Sequence, residues 1–172
     1  MYQSTKILEL GSCAFRQPNA AYVKQILGDG SIGGSRKCSL LHGYQLMAKF
    51  WFSADALDEC NWIIDFGNLK ELKTILQNQF DHTVVLCEND PIIPLMKEIA
   101  SMGGCNLRIM AGVGIEKTAE WCYHAAQEVV TKQSNGRCWV SKVEVWEHEL
   151  NSAIYIPPFG DPLKYFPTHE RI

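Results

Sequence analysis

Gly43-Tyr44-Gln45-Leu46-Met47-Ala48-Lys49-Phe50-Trp51-Phe52-Ser53-Ala54 decides how this chain is built. Tyr44, Leu46, Ala48, Phe50 and Phe52 fall on every second position, the period of a strand with one buried face. Trp51 stands in the alternate set, so the opposite face carries a large ring too. Immediately upstream lies Cys38-Ser39-Leu40-Leu41-His42, with the cysteine four residues before the histidine. Asp81-His82 follows further along. A thiol carries protons or attacks carbon when a neighbouring imidazole or metal stabilises its thiolate, so these residues are the parts of an acid/base site.

Residues 5–15 read as an earlier strand with moderate alternation. Residues 16–37 read as a long loop with one helical turn near Ala20 to Leu27. Within it, Gly28-Asp29-Gly30-Ser31-Ile32-Gly33 matches the glycine pattern of dinucleotide-binding turns. That chemistry needs a strand immediately before and a helix immediately after, and neither is visible, so the stretch reads as plain loop. Trp62 to Phe66 reads as a short extended piece.

Leu69, Leu72, Ile75, Leu76 and Phe80 then recur at helical spacing and predict an amphipathic helix over 68–80, with Asp81-His82 just past its end. Pro94 to Ala100 reads as a short helix and Asn106 to Met110 as a short strand. Trp121, Cys122, Ala125, Ala126, Val129 and Val130 predict a long helix over 117–132. Thr118 lies near its start, and Asn135-Gly136 supplies the stop. Arg137 to Glu147 reads as a strand with Val143, Val145 and Glu147 on one face. After a turn at His148 to Leu150, Asn151 to Ile156 forms its hairpin partner. Residues 157–172 hold four of the seven prolines and read as an irregular tail.

This pattern predicts an α+β domain over residues 1–156, a four-stranded antiparallel sheet with two helices on one face. Trp51 and Trp146 make the other face apolar as well, and a sheet apolar on both sides needs a partner, which predicts a homo-oligomer.

A chain of 172 residues can bury a real core in one domain. The net charge of −3 is spread without a basic stripe, which leaves nucleic-acid binding without electrostatic support. The apolar runs are too short to cross a bilayer, and the first residues lack the apolar core of a signal peptide. Seven cysteines, an odd number with no Cys-x-x-Cys pair, predict reduced thiols and a cytoplasmic location.

In chain order the sequence shows Cys38-x-x-x-His42-Gly43-Tyr44, Asp65-Phe66-Gly67-Asn68-Leu69-Lys70, Asp81-His82, Lys117-Thr118-Ala119-Glu120 and Val145-Trp146-Glu147. Across roughly residues 5–156 this series resembles the 6-pyruvoyl-tetrahydropterin and 6-carboxy-tetrahydropterin synthase family. The spacing of Cys38 and His42 is more similar to the 6-carboxy branch. The resemblance implies a T-fold that oligomerises into a barrel, as a hexamer, with pterin pockets between subunits. It implies a lyase acting on 7,8-dihydroneopterin triphosphate, with Cys38 as catalytic thiol and Asp81 and His82 as proton relay across a subunit interface. Glu147 would hold the guanidine-like edge of the pterin, and Thr118 and Glu120 would stand in the substrate pocket.

The family also implies zinc held by three histidines. Here Phe15 falls at the first position and Tyr44 at the third, which leaves His42 as the remaining family ligand; a catalytic zinc normally takes three protein ligands. Lys117 replaces the proline of the helix-start motif. The alternative function is a divergent metal-free protein on the same fold, binding a pterin- or purine-like ligand with other chemistry or as a scaffold.

Each residue also has a plainer reading. Cys38 could fill apolar space, Asp81-His82 could cap a helix end, and Glu120 could be a first-turn charge. Glu147, a carboxylate ending an apolar face, is costly to desolvate unless paired, or else is a solvated strand end beside Glu149. Cys13, two residues before Phe15, could join Cys38, His42 and Tyr44 in a soft metal set. His124 and His169 read as surface residues, and His148 as turned away from the face of Glu147.

Overall fold

The computed structural model describes residues 1–21, 25–26, 32–33 and 36–158. The glycines Gly28 and Gly30, His169 and nearly all of the proline-rich tail lie outside the described residues.

Strand β4 (His42–Ala54) pairs antiparallel along its whole length with β1 (Tyr2–Phe15). Between them lie a 3-10 turn at Pro18–Ala21, a two-residue ribbon of β2 (Gln25–Ile26) and β3 (Ile32–Gly33), and a second 3-10 turn at Arg36–Ser39. A third 3-10 turn, Phe66–Leu69, leads into α1 (Lys70–Phe80). The chain continues through β5 (Thr83–Cys87), α2 (Ile93–Ser101), β6 (Leu107–Met110), α3 (Ile115–Ser134), β7 (Cys138–His148) and β8 (Asn151–Tyr155).

Trp62 to Phe66 joins no strand; it is a bend that runs into the third 3-10 turn. Asp65 caps that turn, its carboxylate accepting the Gly67 N–H at 2.7 Å. Local capping therefore overrides the extended tendency of the Trp-Ile-Ile run.

One sheet carries the order β6-β5-β1-β4-β7-β8. The expected four antiparallel strands are present as β1, β4, β7 and β8. The sheet is nonetheless mixed and six-stranded, because β5 joins β1 in parallel at Cys13–Phe15 and β6 joins β5 in parallel. The Val84-Val85-Leu86 run lacks alternation because it is covered on both sides, as parallel strands are. Helix α2 is the crossover that parallel pairing requires.

The core lies on one face. Leu8, Leu10, Leu46, Ala48, Phe50, Phe52, Val143 and Val145 meet Leu72, Leu76 and Phe80 of α1 and Cys122, Ala126, Val129 and Val130 of α3. Helix α3 stops where Asn135 turns left-handed at φ 51°, and Gly136 follows at φ +80°. On the other face Trp51 lies under two ammonium groups, Lys49 at 4.7 Å and Lys142 at 4.2 Å from the ring centre. Ile7, Met47 and Ile154 are exposed there, so the second face is apolar in part, as expected.

Three bulges break the ladders, at Leu10 in β1, Ser141 in β7 and Glu147 in β7. The loop before α1 is held by Arg137, which donates to the carbonyls of Ala56, Trp62 and Ile63. No helix of the described residues is long and apolar enough to cross a membrane.

Candidate functional site

The bulge at Leu10 shapes the first part of the site. Gly11 follows with φ +105°, and His82 after α1 takes φ 54°. His82 N–H donates to the Ser12 carbonyl at 2.8 Å, and Ser12 N–H donates to Asp81 Oδ1 at 3.1 Å. This exchange fastens the end of α1 to β1. The same carboxylate oxygen meets His82 Nδ1 at 2.9 Å. With Nδ1–H donated to Asp81, the Nε2 lone pair of His82 is directed away from the carboxylate, on a side chain that is 86% exposed. The Ser12 N–H, followed by the imidazole, holds the Asp81 carboxyl below the ordinary carboxylate range. An oriented imidazole with an outward lone pair is the geometry of a general base.

Phe15 and His42 are direct partners across β1 and β4, as are Cys13 and Tyr44. Phe15, His42 and Tyr44 form a triangle of rings, with centres 5.1 Å (Phe15–His42), 5.6 Å (His42–Tyr44) and 6.1 Å (Phe15–Tyr44) apart. His42 donates Nδ1–H to the Leu40 carbonyl at 2.7 Å, so its Nε2 carries the lone pair.

His148 adds a fourth ring, 5.9 Å from Tyr44. This corrects the expectation that it turns away. The bulge at Glu147 pairs His148 with Asn151 and breaks the simple alternation of β7. Leu150 N–H donates to His148 Nδ1 at 3.2 Å, which leaves the proton on Nε2. That nitrogen lies 3.1 Å from the Asn151 side-chain amide.

The other candidates lie on separate elements. Cys38 is exposed in the 3-10 turn before β4, and its carbonyl accepts the Gln17 N–H at 2.8 Å. Glu147 is the extra residue of its bulge and is half-buried, with no hydrogen-bond or ion-pair partner among the described residues. Thr118 is buried in the first turn of α3, where its N–H donates to the Gly114 carbonyl. Glu120 is engaged by Lys117, whose ammonium it holds above the ordinary lysine range. His124 is half-buried and packs on Tyr123 and Tyr155, so it is not a bare surface residue.

The donor set does not fit a zinc bound by three imidazoles. Phe15 has no lone pair, Tyr44 offers a phenol, and only His42 of the three carries a ring nitrogen. The soft set fares no better. Cys13 is 2% exposed, burial pushes its thiol up to about 11, and its sulfur lies against Thr83. A neutral, enclosed thiol is apolar filling. Among the described residues no three His, Cys, Asp or Glu side chains converge to hold a metal ion.

An open cavity of about 490 Å³ lies at the opposite end of the β1–β4 ladder, lined by Tyr2, Ser4, Leu57, Trp62 and Phe66. It belongs to the loop held by Arg137 rather than to the ring triangle.

The family profile described as 6-pyruvoyl tetrahydropterin synthase matches residues 16–158. The 6-carboxy-5,6,7,8-tetrahydropterin synthase of Aquifex aeolicus is 28% identical over 124 residues, covering 69% of this chain and 75% of that protein. An uncharacterized protein from Wolinella succinogenes superposes with a TM-score of 0.73 at 18% identity, over 90% of this chain and 97% of its own. The 6-pyruvoyl tetrahydropterin synthase of Caenorhabditis elegans superposes with a TM-score of 0.57 at 16% identity, over 91% and 95%. At such identities the structural likenesses establish the T-fold alone. Residues 16–158 make up most of the chain, and with the fold they place this protein in the 6-pyruvoyl tetrahydropterin synthase family.

Proposed function

We propose that this protein is a lyase that moves protons on a bound dihydropterin, in the manner of 6-carboxy-tetrahydropterin synthase, with dihydroneopterin triphosphate as substrate class. The Asp81–His82 pair carries the reading. A left-handed histidine, a strand bulge and a glycine that leaves room for the Asp81 carboxylate together present one imidazole to solvent. Removing a proton from the side-chain carbon beside the ring sends its electron pair into the ring imine, which is protonated in turn. Two proton carriers are needed, and His82 and Cys38 are assigned those roles. Glu147, half-buried and without a partner among the described residues, is assigned to the guanidine-like edge of the ring. Thr118 and Glu120 flank the pocket from α3.

The reading includes a homo-oligomer, a hexamer by family likeness. Among the described residues β5 covers the outer edge of β1 only at Cys13–Phe15, and β8 is the opposite edge of the sheet. Two open edges on one sheet suit head-to-tail pairing of copies, which would bring His82 of one chain to Cys38 of the next. Sedimentation analysis that finds only monomer would count against this arrangement.

The direct test is turnover of dihydroneopterin triphosphate by the purified protein and by Cys38→Ala and His82→Ala. Each substitution is expected to reduce kcat by about 100-fold or more, as loss of a proton carrier does. Wild-type rates shared by both variants would overturn the roles given to Cys38 and His82, and no turnover by the wild-type protein would sink the lyase reading. The ring triangle favours a second reading, a metal-free pterin- or purine-binding protein without this turnover. That reading predicts ligand binding that Glu147→Gln weakens and Cys38→Ala leaves unchanged.

A further inference from the structure

Three imidazoles on one tetrahedral zinc, with nitrogens at 2.0–2.1 Å from the metal, stand about 5 Å apart between ring centres. Phe15, His42 and Tyr44 stand 5.1–6.1 Å apart in the same triangular relation. The frame of a three-imidazole site is therefore present, with two of its three metal-binding nitrogens replaced by a phenyl and a phenol. The hydrogen bonds around it fix the tautomers. His42 donates Nδ1–H to the Leu40 carbonyl and keeps a lone pair on Nε2, while His148 accepts the Leu150 N–H at Nδ1 and carries its own hydrogen on Nε2, which faces the Asn151 side-chain amide at 3.1 Å. The Tyr44 hydroxyl makes no hydrogen bond to the described residues.

Resting on the pterin reading above, we propose that Tyr44 and His148, seated beside Phe15 and His42, hold the substrate's side-chain oxygens by hydrogen bonds, so that the site works without a metal ion. Tyr44 Oη–H supplies one donor, His148 Nε2–H supplies a second once a substrate oxygen displaces the exposed Asn151 amide that it faces at 3.1 Å, and His42 Nε2 supplies an acceptor for a substrate hydroxyl. Phe15 closes the floor with carbon, which keeps water out and strengthens each bond. The assignment brings in His148, whose position depends on the bulge at Glu147.

Two measurements test this together. Elemental analysis of the purified wild-type protein is expected to find zinc well below one per chain. The Phe15→His/Tyr44→His double variant, which completes three imidazoles with His42, is expected to take up one zinc per chain when titrated. Titration of sepiapterin and of dihydroneopterin triphosphate is then expected to give three- to tenfold weaker binding of the triphosphate for Tyr44→Phe and His148→Phe, the loss of one hydrogen bond each. Chelator treatment is expected to leave wild-type binding unchanged. One tightly held zinc per wild-type chain, with pterin binding lost on its removal, would overturn the inference. So would unchanged affinity in both variants while wild type binds pterin, which leaves the pterin reading standing. Wild-type protein that binds neither pterin overturns that reading and this one together.

Discussion

Gly11 and Asp81 compete for one volume: a β-carbon built on Gly11 falls 2.2 Å from Asp81 Oδ1. Gly11 also holds φ +105°, where side chains are strained even in open space. Gly11→Ala is thus expected to displace the Asp81 carboxylate and to lower stability by about 2–4 kcal/mol. Urea denaturation measures the loss. Asp81→Ala in the same background should recover part of it, and a midpoint unmoved by Gly11→Ala would contradict the assigned contact.

Asp81 gives a pH signature. The Ser12 N–H first, and the His82 imidazole after burial's opposing effect, favour the ionised carboxyl, so its native pKa lies below that of the unfolded chain. The stabilisation is present above the ordinary carboxylate range and is lost as pH falls through the lowered value. Thermal melts from neutrality into acid should show wild type losing its margin over Asp81→Asn. Parallel curves for the two proteins would show that the Ser12 contact does not operate.

The thiols divide by burial. Cys38 and Cys60 are exposed, whereas burial pushes Cys13 and Cys138 from 9.0 up to about 11 and Cys122 higher still. Iodoacetamide in mild conditions, read by mass spectrometry, is expected to label Cys38 and Cys60 and to spare Cys13, Cys122 and Cys138. For the buried thiols the native state holds the proton more tightly than the unfolded chain. Their contribution is complete below pH 9 and declines as pH rises through about 11. Early labelling of Cys13 would show that the corner beside Tyr44 opens.

Arg16 and Asp90 form an ion pair at 3.1 Å, less well aligned than a good hydrogen bond, and the Asp90 side chain is fully buried. It ties the end of β1 to the turn before α2. Arg16→Met would leave an uncompensated carboxylate inside the protein, at a cost of about 3–5 kcal/mol. Arg16→Met/Asp90→Asn should restore much of that stability. A full loss in the double variant would mean that Arg16 acts through packing instead.

The periodic elements were the legible part. β4, α1 and α3 announce themselves because each buries one face and leaves the other wet, so Leu46-Ala48-Phe50 and Leu72-Leu76-Phe80 alternate with polar residues. β5 escaped because Val84-Val85-Leu86 has no wet face to mark its period. The Trp62-Ile63-Ile64 run misled because a cap at Asp65 sets its shape. At the site, motif order located Asp81, His82 and His42, but neither Gly11 nor His148 could be read there. Gly11 matters only through a bulge that brings Asp81 against it, and His148 only through a bulge that turns it toward Tyr44. A bulge is a mismatch between two strands, and a single strand's residues carry little trace of it.

The parallel extension has a final consequence for durability. β5 grips β1 through three residue pairs, Cys13–Thr83, Ala14–Val84 and Phe15–Val85, next to where His82 is fastened. That seam is short compared with the long ladder between β1 and β4, so it is the place for sub-global opening. Detachment of β5 and β6 would unseat the imidazole while the antiparallel core stayed folded. Amide exchange along Thr83–Cys87 is then expected to report the release of His82 ahead of global unfolding.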